Sequence, residues 1–300
     1  VPLGIQIIDD TATEGSETIE IALNSGTGYT VSSTTSCGGA ARTSSTYTIT
    51  DNDSPVVLAK NWTNGIAGDA VSLSISGGLL PTAGSSTVGG TATNATAIAT
   101  AGSTLTLTEA YTTGAAANYN NSIECRRSSD NAVVATSGSG LSRTVAMPSG
   151  SSLTCTWTNS RKSATLVVRK TWVNAKLADA ATVATSGLVN NASILSVANS
   201  ANETDTNAAV TVYAAEAATL AETFSVGSAA NYTAALACTG NANALSGSVL
   251  SVNAADTAII CTFTNSRIAQ QLRLAKLWSG ATTGHTASAT TSGGTANASF

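Results

Sequence analysis

One pattern recurs three times along this chain at nearly constant spacing, and it fixes the organisation before any element is assigned. The segments LAKNW (58–62), LVVRKTW (166–172) and LRLAKLW (272–278) each place a lysine two residues before a tryptophan in an apolar run. Lys60 precedes Lys170 by 110 residues, and Lys170 precedes Lys276 by 106. A fixed period with drifting loops marks a tandem array whose period is one structural unit. Other residues keep step. Glu109 and Glu222 follow their lysines by 49 and 52 residues, and Asn118-Tyr119 and Asn231-Tyr232 come next. Cys125 and Cys238 each lie 16 residues after the glutamate, and each unit closes on C-T-aromatic-T-N-S-R, at 155–161 and 261–267.

A chain of 300 residues allows one large domain or several of about 100; the repeat decides for several. Only 10% of residues are charged and 42% are hydrophobic, which is far from the composition of disordered chains. Small β-compatible residues with many glycines suit thin sandwiches joined by tight turns. The expectation is an all-β protein of tandem immunoglobulin-like sandwiches in an elongated array. A net charge of −4 and no basic stripe argue against a nucleic-acid partner. No run of 18 apolar residues exists, so no membrane span is expected in this window. The third unit has its lysine but no glutamate, cysteine or closing asparagine, so the chain reads as a window cut from a longer protein, and missing targeting signals carry little meaning.

Four of the five cysteines fall in couples within the units, Cys125 with Cys155 and Cys238 with Cys261, which favours disulfides and an oxidising compartment. Buried free thiols in a cytosolic protein are the alternative. Cys37 is left over.

Residues 1–54 read differently. IQIID (5–9), ETIEIAL (17–23) and STYTITD (45–51) are candidate strands between polar, glycine-containing loops. Ser54-Pro55 marks a boundary, because a proline interrupts ladder pairing. The organisation expected is therefore 1–54, a first repeat over 55–162, a second over 163–268 and the start of a third over 269–300. The linkers 160–163 and 266–270 are short, which makes a semi-rigid string of domains.

Side-chain alternation gives the register within a unit. Leu58, Lys60 and Trp62 share a face, as do Val168, Lys170 and Trp172. Leu105, Leu107 and Glu109 align, as do Leu220, Glu222 and Phe224; in the last strand Cys155, Trp157 and Asn159 align, as do Cys261, Phe263 and Asn265. Lysine, glutamate and asparagine thus all take the inward register, where three polar groups are costly unless they satisfy one another. A lysine amine deprived of water favours its neutral, nucleophilic form, and a carboxyl group in the same pocket favours its protonated one. Amine attack on the asparagine carboxamide, with loss of ammonia, would leave a Lys–Asn isopeptide bond, with the glutamate shuttling protons. The alternative is a buried ion pair with asparagine as a hydrogen-bonded neighbour, an arrangement that often gains nothing over apolar residues.

Lysine on the first strand, glutamate mid-domain in a T-L-x-E or L-T-E context and asparagine on the last strand resemble the B-type repeats of Gram-positive collagen adhesins and pilins. That resemblance implies a prealbumin-like fold and self-formed bonds through Lys60, Glu109 and Asn159, and through Lys170, Glu222 and Asn265. Lys276 would be the lysine of the third unit. The K-x-W signature and the paired cysteines depart from those repeats, and Ala-Asn-Tyr stands where they have Pro-Gly-Tyr. Near the start, D-D-T-A-T-E-G-S-E, a strand, a Gly-rich loop and T-I-T-D-N-D resemble the C-terminal half of a Calx-β domain. This resemblance implies calcium ligands at Asp9, Asp10, Glu14, Asp51 and Asp53; the alternative is solvated loop acids.

The function expected is mechanical: a structural module of a secreted, cell-surface bacterial fibre, filament or adhesin stalk. Its partners would be neighbouring domains of the same chain or like subunits, and its chemistry at most single-turnover self-cross-linking rather than enzymatic turnover. A module binding a glycan, host or matrix ligand is one rival, and a subunit assembling through exposed strand edges is another. The tryptophans read as core plugs, and the lone His285 as a surface residue.

Overall fold

The computed structural model describes residues 4–8, 10–29, 31, 44–293 and 299. Asp9 and Cys37, both singled out above, lie outside them. The chain divides into two compact units, residues 1–162 and 163–300. Each contains a β-sandwich, and the helical turns among the described residues are the 3-10 segments Ala116–Asn118 and Ala229–Asn231.

In unit one, the sheet that matters most runs Val133–Val134, Tyr119–Arg127, Leu153–Arg161, Asp53–Thr63, Ala95–Thr100, Leu79–Thr82 in spatial order. Its centre is the pairing of the opening strand, Asp53–Thr63, with the closing strand, Leu153–Arg161. These two are parallel, whereas the other pairings of the unit are antiparallel. Unit two repeats the arrangement, with opening strand Ser163–Val173 parallel to closing strand Ala258–Arg267. A parallel pair needs a long crossover between its members. Here the crossover is the whole of the domain, so the first and last strands become neighbours.

The second sheet of each sandwich carries the glutamate strand, Thr104–Thr113 in unit one and Ala217–Val226 in unit two. Thr104–Thr113 pairs with Ala70–Ser76 and Ser142–Ala146. The core between the sheets is built from alternate residues. Leu58, Leu73, Leu105, Leu107, Leu153 and Trp157 are at most 1% exposed, while their strand neighbours are mostly Thr, Ser and Ala. Each such large apolar side chain contributes about 1.5–3 kcal/mol by leaving water. Burial on one face only is why the period-two pattern sets the register.

Three expectations change. Pro55 does not stop the ladder: the opening strand starts at Asp53, and its pairing with Ala95–Thr100 runs through Pro55 opposite Ile98. The closing strand begins its pairing one residue later, at Val56, so the missing amide of Pro55 costs no bond on that side. Residues 5–8 of the candidate strand IQIID carry no ladder pairing; the early part of the chain forms a two-stranded sheet, Glu17–Ala22 with Ser44–Ile49. LRLAKLW, expected to open a third sandwich, forms no strand, and Leu272, Leu277 and Trp278 are exposed. Among the described residues there is no third glutamate strand or closing strand for it to pair with, and an isolated strand has no means of satisfying its backbone.

Candidate functional site: a buried lysine, glutamate and asparagine

In unit one, Lys60 reaches inward from the opening strand, Asn159 from the closing strand beside it, and Glu109 from the facing sheet. Lys60 Nζ lies 3.3 Å from Glu109 Oε1, with the two side chains 1% and 0% exposed. Asn159, fully buried, donates from Nδ2 to the same Glu109 oxygen at 2.5 Å. One carboxylate oxygen thus holds both the amine and the carboxamide. Glu109 Oε2 and Asn159 Oδ1 have no hydrogen-bond partner. Unit two repeats both contacts: Lys170 Nζ to Glu222 Oε1 is 3.1 Å, and Asn265 Nδ2 to Glu222 Oε1 is 2.9 Å, with Asn265 Oδ1 unpartnered.

Burial pushes the Lys60 ammonium down to about 8 from its ordinary 10.5, against the opposing pull of the Glu109 charge. Burial likewise raises the Glu109 carboxyl, with Lys60 and the Asn159 bond opposing. Lys170 is also lowered, again chiefly by burial and against the attraction of Glu222. Each amine sits over the indole of its own K-x-W signature, at 4.2 Å for Lys60 on Trp62 and 3.9 Å for Lys170 on Trp172. A cation gains from an indole face.

Several residues that complete the site went unremarked in the sequence. Trp62 Nε1 donates to Ser86 Oγ at 3.1 Å and Trp172 Nε1 to Ser196 Oγ at 2.7 Å. Both serines follow their tryptophans by 24 residues, a spacing that could have found them. The Asn-Tyr landmark has a structural cause. Tyr119 donates to Asp69 at 2.6 Å and accepts from the Ile66 amide at 2.9 Å; Tyr232 does the same with Asp179 and Lys176. Their rings pack on Trp62 and Trp172, at 5.3 and 5.4 Å between centroids. The carbonyls of Asn118 and Asn231 accept from Lys162 and Ile268, just past the closing strands. In unit one a second tyrosine, Tyr111, also reaches Asn159, accepting from its Nδ2 at 2.6 Å.

Cys125 is bonded to Cys155 and Cys238 to Cys261. Each couple sits at directly opposed positions of neighbouring antiparallel strands, with Cα atoms 3.9 and 4.0 Å apart. That opposition brings the sulfurs together without any loop having to move.

The prealbumin-like fold domain family matches residues 62–161 and again residues 170–267. The chain belongs to that family. The two matches take in the glutamate and asparagine of both prealbumin-like units and the second lysine, and leave the first 61 residues outside. No curated protein matches the chain. Among solved structures it is similar to the major pilin protein T-13 of Streptococcus pyogenes, at 12% identity over 73% of this chain and 98% of that one, with a TM-score of 0.35. It is similar also to the major pilin protein T3.2 of Streptococcus pyogenes, at 8% identity over 73% and 99%, with a TM-score of 0.36. A third is the pilus adhesin SpaC of Lactobacillus rhamnosus GG, at 12% identity over 78% of this chain and 36% of that one, with a TM-score of 0.31. Family membership rests on the two matched segments and not on these likenesses.

Outside the prealbumin-like units, three of the acids expected to hold calcium, Asp10, Glu14 and Asp51, line one pocket. Asp51 accepts the amides of Asp53 and Glu14 at 2.9 and 2.6 Å, which hold its carboxyl below the usual range. Asp53 is buried and accepts from Thr100 Oγ1 at 3.0 Å, while Asp10 accepts the Ala12 amide at 2.7 Å. Calcium takes six to eight oxygens. Among the described residues no three acidic, His or Cys side chains converge as a metal site, and Asp9 lies outside those residues. Among the described residues Lys276 has no glutamate beside it; its amine stands 5.0 Å from the ring of Trp278. His285 is exposed and shares a bond with Thr282. Among the described residues no helix is long and apolar enough to cross a membrane.

Proposed function

We propose that each prealbumin-like unit ligates its own lysine to its own asparagine, Lys60 to Asn159 and Lys170 to Asn265, with Glu109 and Glu222 as proton carriers. The observation that carries this reading is the bridging carboxylate oxygen, which touches the amine and the carboxamide together in both units. In the dry pocket the proton shared by lysine and glutamate moves to the carboxylate, leaving a neutral amine and a carboxyl O–H. A half-turn of the asparagine carboxamide presents Oδ1 to that O–H, which polarises the carbonyl. The amine attacks Cγ and the Nζ–Cγ bond forms. The glutamate takes a proton from the attacking nitrogen and passes it to Nδ2. The Cγ–Nδ2 bond breaks and one ammonia leaves. Holding the reactants in place supplies roughly 7–11 kcal/mol of the barrier.

A bond between these positions joins the opening strand to the closing strand. Tension entering at residue 53 and leaving at 161 then passes through the cross-link, and residues 61–158 carry none of it. The role this supports is a structural module of an extracellular bacterial fibre or stalk, its partners being like units in the same or neighbouring chains. It is a single-turnover reaction, not an enzymatic activity.

Intact mass of the reduced full chain tests the reading. The expected value is lower than the sequence mass by two ammonias, with Glu109→Ala and Glu222→Ala each restoring one. An unmodified wild-type mass overturns it and leaves two buried ion pairs.

A further inference from the structure

This inference rests on the cross-link proposed above and names a second donor for it in unit one. Tyr111 lies two residues beyond Glu109 on the same strand, hence on the same face. Its hydroxyl is 2.6 Å from Asn159 Nδ2 and 3.1 Å from Asn121 Oδ1. Asn121 is the direct cross-strand partner of Asn159. The three side chains form a line ending at the carboxamide that reacts. In one direction the protons run from Asn159 to Tyr111 to Asn121, and Asn159 Oδ1 is left without a partner. Half-turns of the two carboxamides reverse the line: Asn121 Nδ2 donates to Tyr111, and the Tyr111 O–H donates to Asn159 Oδ1. That carbonyl then faces two donors, the Glu109 carboxyl and the Tyr111 hydroxyl. Two donors on one carbonyl oxygen stabilise the negative charge that develops as the amine attacks. Burial holds the Tyr111 hydroxyl above its ordinary range, so it keeps its proton and serves as donor throughout.

Unit two provides the comparison within the same chain. Phe224 occupies the position of Tyr111, two residues beyond Glu222, and its ring packs against Trp172 and Tyr232 at 5.8 and 5.6 Å. Tyr111 packs in the same way against Trp62 and Tyr119, at 6.1 and 5.8 Å. The cross-strand partner of Asn265 is Ala234, where unit one has Asn121. Hydroxyl and carboxamide are missing together while the ring packing is kept, as expected of a donor and the group that orients it.

The geometry points to Tyr111, oriented by Asn121, as a hydrogen-bond donor to the Asn159 carbonyl that makes the unit-one cross-link form faster than that of unit two. The stoichiometry is unchanged: Nζ–Cγ forms, Cγ–Nδ2 breaks, one ammonia departs and Tyr111 retains its proton.

The test is a time course on the full chain, synthesised without cells under oxidising conditions and quenched in denaturant. Peptide mass spectrometry reads the Lys60–Asn159 and Lys170–Asn265 products separately. Unit one is expected to react first. Tyr111→Phe should slow it by roughly 10²-fold, the usual cost of one such donor, and leave unit two unchanged. Asn121→Ala should slow unit one alone and add nothing in the Tyr111→Phe background, a non-additivity that simple packing would not produce. Phe224→Tyr with Ala234→Asn should accelerate unit two. An unchanged unit-one rate in Tyr111→Phe overturns the inference and leaves the cross-link standing; absence of both products in the wild type overturns both. Should Tyr111→Phe fail to fold, the unit-two variant decides, and no acceleration there overturns the inference.

Discussion

Asn159 stands directly beside Trp62, and Lys60 beside Trp157, across the parallel pair of opening and closing strands. The amine and the carboxamide are therefore diagonal neighbours on one face, each next to a large aromatic. Unit two keeps the offset, with Asn265 beside Trp172 and Lys170 beside Phe263. A diagonal gives the lysine stem room to fold toward its partner, and the aromatic rows keep water out of the gap. Glu109 closes the pocket from the other sheet.

Lysine and glutamate share one proton in the reactive pair, so the cross-linking rate should be flat wherever the pair holds that single proton. The amine's depressed value, about 8 for Lys60, sets the alkaline limit. Above it the pair loses its proton, the glutamate has none to donate, and the rate falls. At low pH the pair takes up a second proton, which restores the unreactive ammonium, and the rate falls again. Timed mass measurements across a pH series check this; a rate that climbs steadily through pH 8 and beyond contradicts it.

Replacing Lys60 by Met together with Glu109 by Leu separates a tether from an ion pair. A buried pair exchanged for apolar residues of similar size is commonly neutral or stabilising. A tether closing about 100 residues contributes about 4–5 kcal/mol in the chain-entropy model. Denaturant unfolding of the double variant should therefore show a loss of that order in unit one. No loss would mean that the ion pair was all there was.

The disulfides make a smaller and independent contribution. Cys125 and Cys155 are 30 residues apart and Cys238 and Cys261 are 23, which corresponds to about 3–4 kcal/mol each in the same model. Changing both cysteines of a couple to Ala should lower the stability of that unit by this order. Ammonia loss should continue, because no sulfur belongs to the lysine pocket.

Gly114 has φ +87°, and a Cβ there would strike the Asp69 carboxylate that receives the Tyr119 hydroxyl. Gly102 has φ +81° with open space around it. Gly102→Ala should cost only the backbone strain, about 1–2 kcal/mol. Gly114→Ala should cost more, adding a hydrogen bond to a charged group worth about 1.5–3 kcal/mol. Thermal unfolding of the two variants side by side tests the ordering.

Pulled from its two ends with the Cys125–Cys155 disulfide reduced, the wild-type chain should release no length from residues 61–158, whereas Glu109→Gln should release that segment. Force spectroscopy reads the difference as added contour length in the variant.

The alternation of apolar and small residues set the registers of Leu58, Leu105, Leu107 and Trp157 from sequence alone, because a period of two leaves only one face for the core. The same rule brought Lys60, Glu109 and Asn159 to the inward face, and the recurrence of their spacing pointed to all three at once. What the sequence left open depended on partners distant along the chain. Whether LRLAKLW pairs at all depends on strands it would have to find, and the described residues do not contain them. What Asp51 and Asp53 bond to depends on which amides and hydroxyls fold against them, and Glu14 and Thr100 arrive from elsewhere. Tyr111 is two residues from a landmark, yet its relation to Asn121 and Asn159 exists only once two sheets face each other. Periodicity reports the direction of a side chain; only the packed sandwich decides what it meets there.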